Sequence, residues 1–82
     1  MRFNLNIIVY LTFKKTIKMN RIKEVLESKG LTQTWLAESL GKSYNMVNSY
    51  AQNRRQPSIE VLYQIAKILN VEASDLLIKK KN

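Results

Sequence analysis

Apolar positions divide this chain into two parts with different periodicities. Leu5 to Phe13 is a nearly continuous apolar run rich in Ile, Val, Tyr and Phe. Those residue types favour a β-strand. From Asn20 onward apolar residues recur at three- and four-residue spacing, the mark of amphipathic helices. Asn20 is expected to cap a first helix whose apolar face is Ile22, Val25 and Leu26, with Gly30 stopping it. Thr32 caps a second helix carrying Leu36, Ala37 and Leu40, and Gly41 ends it after barely two turns. Ser43 caps a third helix running to about Asn53. Arg54-Arg55-Gln56-Pro57 reads as a basic loop, because proline disfavours helix in the residue before it. Ser58 caps a fourth helix, Ile59 to Leu69, whose only polar stripe is Glu60, Gln64 and Lys67, so most of its circumference is expected to be buried. A short fifth helix is expected over Ala73 to Ile78, and Lys79-Lys80-Lys81 is a solvated end. The expected fold is all-α: a compact domain over residues 19–82, preceded by a tail at 1–18.

The tail admits two readings. A lone strand must pair, and the same strand of a second subunit would serve. Alternatively the domain begins at Met19, and the tail is an extension from an upstream start with little order of its own. The apolar run is far too short to span a bilayer as a helix. Lys14 and Lys15 follow it where a signal peptide would place small residues, so no leader is expected.

Composition narrows the chemistry. The chain has 82 residues, no cysteine and no histidine. Thiolate sites and the commonest general base are absent, and no pair among the six acids has a spacing suited to metal binding or acid–base work. The expectation is a protein that is not an enzyme and needs no cofactor or metal. The formal charge is +8, which points to polyanionic partners. Half of it is the tail's, since the chain from Met19 onward carries ten cations against six acids. Charge alone is therefore weak evidence about the domain.

The stronger signal is spacing. Two short helices joined by a tight glycine-containing turn are the sequence form of a helix-turn-helix, here Gln33 to Gln52. Ala37 is small where the helices cross, Gly41 permits a positive φ in the turn, and Val47 and Tyr50 are spaced to anchor the second helix inward. Tyr44, Asn45, Asn48, Ser49 and Gln52 then fall on the opposite arc. All are uncharged and able to hydrogen-bond, where a plain solvent face would favour Lys and Glu. Asparagine is a poor helix former but pairs bidentately with adenine, and serine donates or accepts. Tyr44, Asn45, Asn48 and Ser49 are accordingly the candidate base readers. Gln33, Lys42, Ser43, Arg54 and Arg55 border the arc and are the candidate phosphate contacts. Against this stand plainer readings: a polar face without a ligand for the arc, and solvated side chains for Lys42 and the arginines.

Gln33-Thr34-Trp35-Leu36-Ala37-Glu38-Ser39-Leu40-Gly41, followed by Ser43, Val47, Tyr50 and Pro57-Ser58, resembles the Cro and phage-repressor helix-turn-helix family, also called the XRE family. Leu31-Thr32-Gln33, Ile65-Ala66 and Leu69-Asn70-Val71 fall in the same register, so the resemblance covers about Asn20 to Ile78. It implies a compact five-helix, lambda-repressor-like domain of bacterial or phage type, usually a homodimer on a palindromic operator. It also implies that Gln33, Ser43, Tyr44, Asn45, Asn48 and Ser49 face DNA, with Arg54 and Arg55 near the backbone. Three positions depart from the pattern. Leu26 and Ala51 replace an Arg–Glu pair, an exchange that packing tolerates. Trp35 stands where a charged residue is usual, either packing under the tail, serving a partner surface, or simply exposed. Asn53 replaces glycine after the recognition helix and is the next-best residue for a left-handed cap.

These readings converge on sequence-specific binding of double-stranded DNA and transcriptional regulation by repression, in the cytoplasm on the nucleoid. Leu76, Leu77 and Ile78 are candidate dimer contacts or, alternatively, closure of the monomer core. Two other functions stay open. One is an antitoxin that autoregulates and binds a toxin. The other is a helical interaction module without DNA readout, which would not need the polar arc or the arginine pair. A membrane-surface role through the basic apolar tail is a third and weaker reading.

Overall fold

A computed structural model describes residues 17–78. Four α-helices follow one another: α1 (Ile22–Ser28), α2 (Gln33–Leu40), α3 (Tyr44–Ala51) and α4 (Ile59–Leu69). A single 3₁₀ turn, Ala73–Leu76, closes the order. Among the described residues there is no strand beyond an isolated antiparallel bridge between Asn20 and Leu77. No described helix is long and apolar enough to cross a membrane. The predicted strand at Leu5 to Phe13, with the rest of the tail to Thr16, lies outside the described residues.

Three of the expected caps form as the residue types dictate. Thr32 Oγ1 accepts from the Trp35 N–H at 3.0 Å, Ser43 Oγ from Met46 at 3.1 Å and Ser58 Oγ from Val61 at 3.2 Å. Each satisfies an N–H that the helix itself leaves without a partner, worth about 1 kcal/mol. The expected cap of α1 differs. Arg21 occupies the cap position without a side-chain bond, and Asn20 instead turns its Oδ1 onto the Ile22 N–H at 3.0 Å.

Two further expectations are corrected. The fifth element is a 3₁₀ turn rather than a helix to Ile78. Leu77 is extended, with φ −109° and ψ 151°, because the chain there pairs with the segment entering α1. Arg21 N–H donates to the Leu76 carbonyl at 2.8 Å, and Ile78 N–H donates to the Met19 carbonyl at 3.2 Å. These bonds pull residues 77–78 out of any helix. In α4 the exposed face is wider than the stripe of Glu60, Gln64 and Lys67. Ile59 and Tyr63 are 70% and 62% exposed, and only Ile65, Ala66 and Leu69 are buried. An eleven-residue helix that packs on α2 and the 3₁₀ turn along one side cannot bury the flank that faces neither.

The core joins all five elements: Ile22, Val25 and Leu26 from α1, Leu36 and Ala37 from α2, Val47 and Tyr50 from α3, Ile65, Ala66 and Leu69 from α4, and Leu76. Leu26 and Ala51 are both buried, so the apolar replacement of the family's ion pair is accommodated in the interior. Asn20 is the one buried polar residue among those described. Its Nδ2 donates to the Tyr50 carbonyl at 3.0 Å and to Gln56 Oε1 at 2.8 Å. Its backbone N–H donates to Asn53 Oδ1 at 2.9 Å, and Asn53 Nδ2 returns a bond to the Asn20 carbonyl at 3.2 Å. The segment entering the domain is thereby fastened to the end of α3 and to the loop after it.

Candidate nucleic-acid interface

The α2–turn–α3 unit is the most extensively packed helix pair in the domain. Ala37 is buried between its helices. Gly41 adopts φ 69°, and the turn is held by Lys42 N–H donating to the Ala37 carbonyl at 3.0 Å. A side chain added at Gly41 would meet nothing within 4 Å, so the backbone conformation, not space, demands the glycine. Val47 and Tyr50 are buried and fix the rotation of α3. That rotation turns Tyr44, Asn45, Asn48, Ser49 and Gln52 outward. Tyr44, Asn45 and Gln52 are exposed, whereas Asn48 and Ser49 are half-buried.

The loop after α3 is wound back onto the helix end. Asn53 sits at φ 60°, the left-handed conformation expected of it. The Arg54 and Arg55 N–H groups both donate to the Ser49 carbonyl, at 2.9 and 3.2 Å. Both arginine side chains then lie beside the outward arc. Arg54 Nη2 donates to Asn48 Oδ1 at 2.8 Å, and Arg55 Nη1 donates to Met46 Sδ at 3.4 Å. Ser43, Asn45, Met46, Ser49, Arg54 and Arg55 line one open groove between α3 and the loop. From the other side, Gln33 at the first turn of α2 accepts from Asn48 Nδ2 at 2.8 Å. No acid occurs between Ser39 and Ile59, while Lys42, Arg54 and Arg55 lie within that stretch. The stretch that forms this face therefore carries a charge of its own, three cations and no acid, independently of the tail.

Of the predicted site residues, Gln33, Asn48 and Arg54 are joined by hydrogen bonds, and Ser43, Asn45, Ser49, Arg54 and Arg55 line one groove. Tyr44 is exposed on the same helix, and among the described residues no side-chain contact ties Lys42 to the group. Ser43 uses its oxygen as the α3 cap and keeps its O–H free to donate. Leu76 is fully buried and closes the core, leaving Leu77 and Ile78 exposed at 42% and 39%. Two features have no counterpart in the sequence reading. Gln33, Asn48 and Arg54 form one hydrogen-bonded series. Asn20, Asn53 and Gln56 form a second beneath the loop. Neither has a spacing signature, because each joins residues from separate elements. Trp35 is 37% exposed on α2. Lys18 and Glu24 form an ion pair, and that hydrogen bond from Lys18 holds the Glu24 carboxyl below its ordinary value.

A fold in which one short helix crosses beneath a second that presents a polar, cation-flanked face defines a helix-turn-helix domain. The helix-turn-helix family model matches residues 22–76, and the chain belongs to this family, in its XRE form. Among solved structures, a candidate DNA-binding protein from Bacteroides fragilis is similar at 44% sequence identity with a TM-score of 0.72. The match covers 74% of this chain and 100% of that one. No curated protein matches the chain.

Proposed function

We propose that this protein binds double-stranded DNA sequence-specifically through α3 and regulates transcription, repressing by occupying a promoter. The observation that carries the reading is the composition of the α3 face. Tyr44, Asn45, Asn48 and Ser49 point outward from a helix anchored by Val47 and Tyr50, and Arg54 and Arg55 are folded back against the same face. Such a helix fits the major groove, where Asn pairs with adenine and a tyrosine ring packs on a thymine methyl. Lys42, Ser43, Arg54, Arg55 and the Gln33 side chain contact phosphates at the rim. These contacts set register and affinity but not sequence. The similarity to a candidate DNA-binding protein supports the same reading.

The protein acts as a homodimer on a palindromic operator. Ile17, Met19 and Ile78, with the Lys18 stem, line an exposed and mostly apolar concavity where the ends of the described chain meet, and Leu77 is exposed beside Ile78 in sequence, which supports a contact between copies there.

Binding to a random-sequence duplex pool tests the electrostatic half of the proposal. Affinity is expected to fall steeply as salt rises, and Arg54→Ala is expected to reduce the slope of log K against log salt by about 1. Binding that is insensitive to salt, or an unchanged slope in Arg54→Ala, contradicts phosphate contact by this face.

A further inference from the structure

The hydrogen bonds across the α3 face have a direction, and that direction separates its two asparagines. A guanidinium only donates. The bond between Arg54 Nη2 and Asn48 therefore ends on an acceptor, which places Asn48 Oδ1 toward Arg54. Asn48 Nδ2 must then face the other way, and it donates to Gln33 Oε1. With its oxygen turned to Asn48, Gln33 has its NH₂ left over, and no described group accepts from it. The series runs Arg54 to Asn48 to Gln33, and both of its outer ends offer N–H donors. One end lies at the N-terminus of α2, the other in the loop after α3, and Asn48 spans the gap between them.

An asparagine that reads adenine bidentately must offer one free acceptor and one free donor. Asn48 already spends one lone pair and one N–H on protein, and those two bonds pin its half-buried carboxamide along the line from Gln33 to Arg54 instead of leaving it free to turn onto a base edge. Asn45 is exposed, and among the described residues no group bonds to its carboxamide. Ser49 donates its hydroxyl proton to the Met46 carbonyl at 2.6 Å, so it offers the groove an acceptor only.

We infer that Asn48 is a positioning residue: it braces Gln33 against Arg54 so that two donor groups stand at a fixed separation for two backbone phosphates, while Asn45 alone reads adenine. Ser49 completes the pattern as an acceptor suited to an exocyclic amino group of adenine or cytosine. This rests on the DNA-binding reading above and assigns the work within that site.

The test compares wild type, Gln33→Ala, Asn48→Ala and the double variant on a duplex selected by the wild type, and on duplexes with each of its base pairs changed in turn. Asn48→Ala is expected to weaken every duplex by a similar factor of about ten, leaving the order of base preferences intact. The double variant is expected to be weaker than Asn48→Ala by a smaller factor than Gln33→Ala costs in the wild type, because Gln33 acts through Asn48. A loss in Asn48→Ala confined to duplexes that keep one particular base pair overturns the inference, since Asn48 would then read that base. Additive losses overturn it as well. The free protein supplies a readout that needs no DNA: Arg54→Ala is expected to shift the side-chain NH₂ resonances of both Asn48 and Gln33, and an unmoved Gln33 signal counts against the series. A wild type that enriches no duplex sinks the DNA reading itself; the NH₂ shifts distinguish that outcome from failure of the brace.

Discussion

Replacing Asn20 by alanine removes the polar fastening between the entering segment and the end of α3. The magnitude follows from the bonds. Asn20 is fully buried, and its side chain makes three hydrogen bonds, to the Tyr50 carbonyl, Gln56 Oε1 and the Ile22 N–H. The Tyr50 carbonyl keeps a second partner in the Asn53 N–H at 3.0 Å, so it loses a bond without being orphaned. Gln56 is half-buried and turns to water. The Ile22 N–H is in the first turn of α1 and keeps no other acceptor, so it carries the desolvation cost of an unmade bond, about 1–3 kcal/mol. Adding roughly 1 kcal/mol for the lost Tyr50 bond gives a total of about 2–4 kcal/mol. A domain of this size has only about 4–12 kcal/mol in all. Urea unfolding followed by helical circular dichroism measures the change, with an unchanged m-value showing that the denatured state is the same. A loss under about 0.5 kcal/mol would refute the reasoning, because a fully buried asparagine cannot lose three bonds at so small a cost. Asn20→Asp is expected to be worse than alanine, since its carboxylate faces Gln56 Oε1 and the Tyr50 carbonyl with no proton to give.

Other single positions carry expectations of their own. Gly41→Ala meets no steric obstacle but forces alanine to φ 69°, and is expected to cost about 1 kcal/mol in thermal or urea unfolding. Leu76→Ala opens the core and is expected to cost about 2–5 kcal/mol, whereas under the proposed homodimer Leu77→Glu with Ile78→Glu is expected to leave folding intact and to lower the sedimentation coefficient. The Glu24 carboxyl is held below its ordinary value by Lys18, so the pair stabilises the fold above the unfolded carboxylate's pKa and loses that contribution as pH falls through the lower folded value. Lys18 is exposed, so Lys18→Met is expected to remove only a few tenths of a kcal/mol at neutral pH, about 0.3, and to flatten the acid limb of stability against pH.

Much of the fold was legible because it rests on local rules. The caps at Thr32, Ser43 and Ser58, the left-handed Gly41 and Asn53, and the inward Val47 and Tyr50 each follow from residue type and helical period. Sequence and structure part where distant segments meet. Leu77 and Ile78 carry helix-compatible side chains, but pairing with Met19 to Arg21 makes this stretch extended. Asn20 has the residue type of a helix cap, yet its contacts with Tyr50 and Gln56 lie thirty or more residues away in sequence. The exposure of Ile59 and Tyr63 was not legible because an apolar residue does not announce which flank its neighbours leave open. The arc on α3 was legible residue by residue. The direction of its hydrogen bonds was not, since that depends on where the loop places Arg54.

The most direct test of the account is selection of duplexes from a random pool by wild type and by Asn45→Ala. The wild type is expected to enrich one motif with two inverted half-sites about one helical turn apart, bound at about 10⁻⁸ to 10⁻¹¹ M. Asn45→Ala is expected to lose about 1–3 kcal/mol on that motif and to relax preference at an adenine in each half-site. Selection of no motif by the wild type, or an identical motif at undiminished affinity in Asn45→Ala, would contradict the claim that the outward face of α3 reads DNA.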